Sequence, residues 1–305
     1  MRVAAVVVTY NRLEMLKACI AHLLSQNAPC DILVVSNCCT DGTQGWLEQE
    51  SAKQERLFWR DTGKNLGGAG GFNRGMRWAV EEGYDRVWIM DDDTLPEADA
   101  LSELLRADEI LEGKYGFLSS AALWTDGSEC RMNRQKLRKA FYERLELLRD
   151  GLILCEQATF VSCFFTADTI RRAGLPITEF FIWGDDIEYT RRLSVRMGLP
   201  CYLAGRSRVV HAMKENTGSS IAIDGHARIG RYNYAFRNEK YLYRQEGIRG
   251  FLFYTAKCGL NGLRILRSAP DRKLARCMII IRQYVGGLFF NPKVEYVSEN
   301  GDASA

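Results

Sequence analysis

Three consecutive carboxylates, Asp91, Asp92 and Asp93, close the apolar run Val87-Trp-Ile-Met90. In extended backbone the first and third side chains point the same way, so Asp91 and Asp93 can face one ligand together. Like charges held that close need a cation or several donors. A hard divalent ion such as Mn2+ or Mg2+ meets that need and keeps positions open for phosphate oxygens. The alternative is a solvated acidic turn capping the next helix, with Pro96 near its first turn; the buried strand before the triplet argues against it. Further on, Asp185 and Asp186 follow Trp183-Gly184 where a loop enters a helix over 187–196. One would cap the helix, leaving the other as a general base, and Trp183 offers a flat face to a sugar ring. Two acids that merely suit the helix dipole are the alternative there. His211 ends the run Arg208-Val-Val and is one of three histidines in the chain. An imidazole beside carboxylates suits Mn2+.

A glycine-rich stretch, Asn65-Leu-Gly-Gly-Ala-Gly-Gly-Phe-Asn73, precedes a helix predicted over 72–82, where free backbone N–H groups can receive a phosphate or a ribose. It matches neither the dinucleotide fingerprint, since Asn73 stands where the last glycine belongs, nor the phosphate-loop pattern, which needs Gly-Lys-Ser/Thr. A flexible connection is the competing reading.

These residues need elements to carry them. Val3–Val8, Ile32–Val35, Leu57–Trp59 and Val87–Met90 read as strands, and 13–26, 45–53 and 72–82 as helices. Such alternation predicts an α/β fold with a mostly parallel sheet covered by helices on both faces, and ligands at the carboxyl ends of its strands. Strands are also predicted over 117–123 and 159–166, separated by a charged helix over 136–149. The chain after Gly230 reads as helical, with a polar tail over 298–305 read as disordered.

Composition bounds the function. The 305 residues carry 41 Lys and Arg against 38 Asp and Glu, a net charge of +3, too small for a broad nucleic-acid surface. The ten cysteines are scattered without a CxxC pair, which suits free thiols in a reducing cytosol better than zinc or a disulfide scaffold. No secretory leader is read at the start, and no uncharged apolar run reaches the roughly 18–20 residues of a spanning helix.

In combination, Val8-Thr-Tyr-Asn-Arg12, Asn37 with Asp41-Gly-Thr43, the glycine-rich stretch, Trp88-Ile-Met-Asp-Asp-Asp-Thr94, Trp183-Gly-Asp-Asp-Ile-Glu-Tyr189, His211 and Arg231-Tyr-Asn-Tyr-Ala-Phe-Arg-Asn238 resemble the inverting nucleotide-sugar glycosyltransferases of family 2. The likeness covers residues 1–240 and is greatest to galactofuranosyltransferases, with rhamnosyltransferases close behind. It implies a GT-A fold whose nucleotide-sugar half is 1–95 and whose acceptor half is 96–229, followed by a helical region over 230–297. It further implies that Thr9, Tyr10, Arg12, Asn37, Asn65, Gly68, Gly71, Asn73, Asp92 and Trp183 hold the donor. Asp91, Asp93 and His211 would hold Mn2+ or Mg2+, and Asp186, paired with Asp185, would be the base. The acceptor would be a glycan or lipid-linked glycan. A non-catalytic nucleotide-binding protein is the rival class; a prenyl-type synthase is excluded because neither acidic cluster has DDxxD spacing.

Between Arg244 and Arg282 nine basic residues face only Glu246 and Asp271, with aromatics and aliphatics between them. This pattern fits an amphipathic helix pair on the inner face of a membrane. It equally fits a basic helical subdomain packed on the core or on a second subunit.

Overall fold

The computed structural model describes residues 1–297, so the tail over 298–305 lies outside the described residues. Along the chain come β1 (Val3–Thr9), α1 (Leu13–Leu24), β2 (Asp31–Ser36), α2 (Thr43–Ser51), β3 (Leu57–Asp61), α3 (Gly67–Glu81), β4 (Arg86–Asp91), β5 (Thr94–Pro96) and α4 (Ala100–Ile110). The second half contains β6 (Leu118–Leu123), β7 (Lys136–Leu137), β8 (Leu152–Gln157), β9 (Cys163–Thr166), α5 (Ala167–Ala173), α6 (Asp185–Arg191) and β10 (Tyr202–His211). Four helices follow: α7 (His226–Ile229), α8 (Tyr232–Gln245), α9 (Gly247–Ser268) and α10 (Lys273–Phe289).

One sheet runs in the order β3-β2-β1-β4-β9-β6-β10-β8-β7, with β5 paired to β10. Its first half is parallel. β9 then enters antiparallel between β4 and β6, so the sheet as a whole is mixed. β1 is buried along its whole length, as its unbroken Val/Ala run requires of a strand covered on both faces. One apolar layer packs Leu16, Ile20 and Leu23 of α1 and Leu101 and Leu104 of α4 below the sheet. The other packs Phe72 and Met76 of α3 above it.

Two predicted elements differ. The charged segment 136–149 is a two-residue strand followed by 3-10 turns over Phe141–Asp150, broken at Arg144. Its charges do not pair at helical spacing: Lys136 reaches Glu156 on β8, and Arg144 pairs with Glu146 two residues on. The glycine-rich stretch is also not a loop, because α3 begins at Gly67. The glycines let this helix approach the sheet closely: a Cβ on Gly75 would lie 2.3 Å from Val6 Cγ1, and one on Gly71 2.4 Å from Val8 Cγ1.

Gly75→Ala should therefore destabilise the fold by about 1–3 kcal/mol, because β-branched Val6 cannot swing aside. Gly45→Ala in α2, where a Cβ meets nothing within 4 Å, should stabilise it by about 0.5–1 kcal/mol. Urea denaturation of both variants checks the contrast.

Candidate active site

The Asp triplet stands where β4 leaves the sheet. β1 runs parallel beside β4, so the segment following β1 arrives at the same place. Thr9 donates from Oγ1 to Asp92 Oδ2 at 2.7 Å, and the Arg12 guanidinium reaches Asp92 at 3.3 Å and Asp93 at 2.5 Å. From the other side, β5 pairs antiparallel with β10 so that Thr94 opposes His211. That register delivers His211 Nε2 to within 3.1 Å of Asp93 Oδ1. Ligand atoms of Asp91, Asp93 and His211 all lie within 4.8 Å of one another.

The electrostatics follow from burial. The Asp91 carboxyl is pushed up to about 7, first by desolvation and then by the charge of Asp93. Asp92 rises to about 6 for the same two reasons. Desolvation pushes Asp93 upward too, but hydrogen bonding to His211 and the Arg12 charge outweigh it and hold this carboxyl below its ordinary value. Burial works to lower the His211 pKa, yet the Asp93 hydrogen bond wins and raises it to about 10. Two carboxylates from the end of β4 and one imidazole from the end of β10 form a donor set that fits Mn2+ or Mg2+.

Asn133 was not singled out by the sequence. Its Oδ1 accepts from His211 Nδ1 at 2.7 Å and from the Cys130 thiol at 2.8 Å, while its Nδ2 donates to Thr159 Oγ1 at 2.8 Å. With Nδ1 engaged, Nε2 is the nitrogen turned toward the carboxylates. Nothing in its surroundings, Arg131-Met-Asn-Arg134, marks Asn133 before the chain is folded. Asp61 carries no sequence signal either. It accepts from Cys38 N and Gly63 N and so fastens the loop beside Asn37.

The expected donor-binding residues divide. Tyr10, Arg12 and Asn65 are exposed, and Gly68 and Trp183 are partly so. Asn65 Oδ1 already accepts from Gly67 N. Three others serve the interior. Asn37 is buried, donating to Gly67 O and accepting from Leu66 N, so it straps the start of α3 to β2. Asn73 is buried and donates to Pro176 O, and Gly71 lies against Val8. Phosphate capture by the glycine-rich segment is limited as well, because the N–H groups of Leu66, Gly67 and Ala69 all have protein partners.

Asp185 and Asp186 open α6. The loop before them holds Phe181 at φ 62°, Trp183 at φ 64° and Gly184 at φ 90°, a run of left-handed backbone that costs free energy at the two aromatic residues. Asn238 of α8 offsets that cost by donating to the carbonyls of Phe180, Ile182 and Trp183 at 2.9, 3.3 and 2.8 Å. Desolvation raises both acids. Asp186 reaches about 6, and burial, followed by the charges of Asp186 and Asp91, holds the Asp185 carboxyl well above its ordinary value. Asp185 thus shares the electrostatic field of the Asp triplet.

Among known sequences, the model of glycosyl transferase family 2 matches residues 4–167, more than half of the chain. The chain belongs to glycosyltransferase family 2. This family 2 glycosyltransferase is 29% identical over 286 residues to galactofuranosyltransferase GlfT1 of Mycolicibacterium smegmatis, covering 86% of this chain and 93% of that protein. In fold it resembles GalNAc-T7, solved with UDP, GalNAc and Mn2+, at a TM-score of 0.62 and 11% identity, over 80% of this chain and 48% of that one. It likewise resembles the mannosyltransferase PcManGT of Pyrobaculum calidifontis, solved with GDP-Man and Mn2+, at a TM-score of 0.58 and 17% identity, over 94% of this chain and 87% of that one. The family 2 chain has the GT-A fold that its motifs implied.

A titration of free Mn2+ by electron paramagnetic resonance should separate the carboxylates. Asp93→Asn should lose Mn2+ binding, whereas Asp92→Asn, whose carboxylate lies outside the Asp91, Asp93 and His211 group and accepts from Thr9, should retain it. Asn133→Leu should weaken binding by about 10–100-fold, the usual effect of removing the partner of a ligating histidine. Affinity in the unaltered protein should fall as pH falls, since the His211 proton competes for the site.

Proposed function

We propose that this glycosyltransferase moves a galactofuranosyl residue from UDP-galactofuranose onto a glycan or lipid-linked glycan in cell-surface polysaccharide synthesis, with inversion at the anomeric carbon. The observation that carries this reading is the match to a galactofuranosyltransferase along 93% of that protein's length. The acidic cluster supports it, as do the UDP and Mn2+ with which GalNAc-T7 was solved.

Asp91, Asp93 and His211 would hold one Mn2+ or Mg2+, with Asn133 as positioning residue behind His211. When bound, the cation supplies charge to offset the negative charge developing on a departing nucleoside diphosphate. Arg12, at the rim of the same cluster, adds a fixed positive charge, and Tyr10, Asn65 and Gly68 line the donor side. Trp183 presents its ring to the donor sugar. Asp186 takes the proton from the acceptor hydroxyl as that oxygen attacks the anomeric carbon and the bond to the diphosphate breaks. A carboxylate whose pKa is raised to about 6 is a stronger base than an ordinary one and is still ionised at pH 7.

A second assignment rests on one observation. Asp186 Oδ1 already accepts from Ile187 N at 2.7 Å, and this would leave Asp185 as the residue that faces the reacting centre.

Asp186→Asn should lower kcat by about 10²–10⁴-fold while leaving donor affinity unchanged; the same loss confined to Asp185→Asn would transfer the role. In the unaltered enzyme kcat should fall about tenfold per pH unit below about 6, because protonation removes the base. UDP-galactofuranose should support transfer and dTDP-rhamnose should not; the reverse preference, scored by product mass, would overturn the donor assignment.

A further inference from the structure

Each of the two last helices has two apolar faces, and only one is covered. The covered faces rest on α8 through Gly250 and Tyr254 of α9 and Gly287 of α10, and Ile265 and Ile280 join the same apolar cluster as Tyr232 and Phe236. Glycines sit at the crossings: a Cβ on Gly250 would lie 2.2 Å from Tyr243 O, and one on Gly287 2.5 Å from Lys240 Cβ. The hydroxyl of Tyr254 donates to Phe236 O of α8 at 2.8 Å. α9 and α10 also bond to each other, Thr255 to Tyr284 at 2.7 Å.

The uncovered face of α9 is a stripe at helical spacing through Ile248, Leu252, Leu263 and Leu266. Leu274, Met278, Val285 and Phe289 make the equivalent stripe on α10. Exposure reaches 64% at Leu263, 80% at Leu274 and 78% at Phe289. Both stripes point away from α8, so they lie side by side on one surface. A contiguous apolar face of this kind marks an interaction site.

Charge selects the occupant. Neither helix contains an Asp or a Glu, and the exposed residues beside the stripes include Arg249, Arg264, Arg267 and Arg282. None of these four arginines forms an ion pair among the described residues. A second copy docked through the same face would set this basic border against itself. An anionic lipid surface would receive the apolar stripes among its acyl chains and the arginines at its headgroups. No helix among the described residues is long and apolar enough to cross a membrane, so the pair would lie along the surface.

We propose that α9 and α10 form a docking face for an anionic lipid bilayer, and that this face is coupled to the active site through α8. The coupling is direct. α8 carries the docking helices on one side, and through Asn238 it holds the Phe180–Trp183 loop that precedes Asp185. Docking would thus set the catalytic loop at a fixed height above the lipid, where a lipid-linked acceptor presents its glycan. The docking face holds whichever sugar is transferred, so its failure and failure of the donor assignment are separately visible.

The test is flotation of the full chain with phosphatidylcholine vesicles containing phosphatidylglycerol, against pure phosphatidylcholine vesicles, at low and high salt. The chain should float with the anionic vesicles at low salt, and roughly tenfold less with neutral vesicles or at high salt. Leu263→Glu with Met278→Glu should abolish flotation while the circular dichroism spectrum and donor hydrolysis stay unchanged. Arg264→Glu with Arg267→Glu, both at exposed positions, should also weaken it. Absence of flotation with anionic vesicles at low salt would overturn the proposal. So would a dimer in sedimentation equilibrium that the paired Leu263 and Met278 substitutions dissociate while flotation persists.

Discussion

Three carboxylates at the mouth of one buried strand repel one another, and the protein keeps them together by bringing cations and a hydroxyl donor to them. Arg12 comes from the segment after β1 and His211 from the end of β10. Each is delivered by strand pairing rather than by a flexible loop: β1 beside β4, β10 against β5. The sheet topology is in this sense the means of neutralising Asp91, Asp92 and Asp93. A divalent cation would reverse the local logic, making close carboxylates favourable and His211 neutral. Burial and the neighbouring carboxylates push the Asp91 carboxyl up, and the Asp93 hydrogen bond pushes His211 up, at the place where a metal could sit.

The second organising feature is α8. Its Asn238 holds the strained loop that aims Asp185 and Asp186, and its opposite side supports α9 and α10. Aromatic packing of Phe181 on Tyr234 and of Trp183 against Tyr232 ties the same loop to the same helix. The glycines of α3 complete the enclosure. A Cβ on Gly67 would lie 2.0 Å from Phe181 O, so the helix can meet the acceptor loop only where side chains are absent. The stretch that reads as a ligand-binding loop in the sequence is also a packing device, against the sheet at Gly71 and against Phe181 at Gly67.

How much of this the sequence disclosed depends on the kind of information required. Val3–Val8 and Val87–Met90 were legible as buried strands because continuous β-branched and apolar runs have few other uses. Asp91, Asp93 and His211 were legible because paired acids and a rare histidine at strand ends have a limited repertoire. The structural roles of Asn37 and Asn73 were not legible, because an asparagine that straps a backbone and one that binds a nucleotide look the same until their partners are placed. Asn133 was silent for the same reason: its meaning is the imidazole it touches, seventy-eight residues away in sequence. The segment 136–149 failed as a helix: Lys136 pairs with distant Glu156, while Arg144 and Arg149 pair with Glu146 and Asp150 at spacings other than the three or four residues of a helix.

The central claim is that one cation, held by Asp91, Asp93 and His211, organises the donor side of this glycosyltransferase. Crystals grown with UDP and Mn2+, measured at the manganese absorption edge, test it most directly. One anomalous peak per chain, bonded to Asp91, Asp93 and His211 Nε2 and adjoining the diphosphate, is the predicted result. A well-bound UDP with no manganese at these residues, or with manganese held elsewhere, would contradict it.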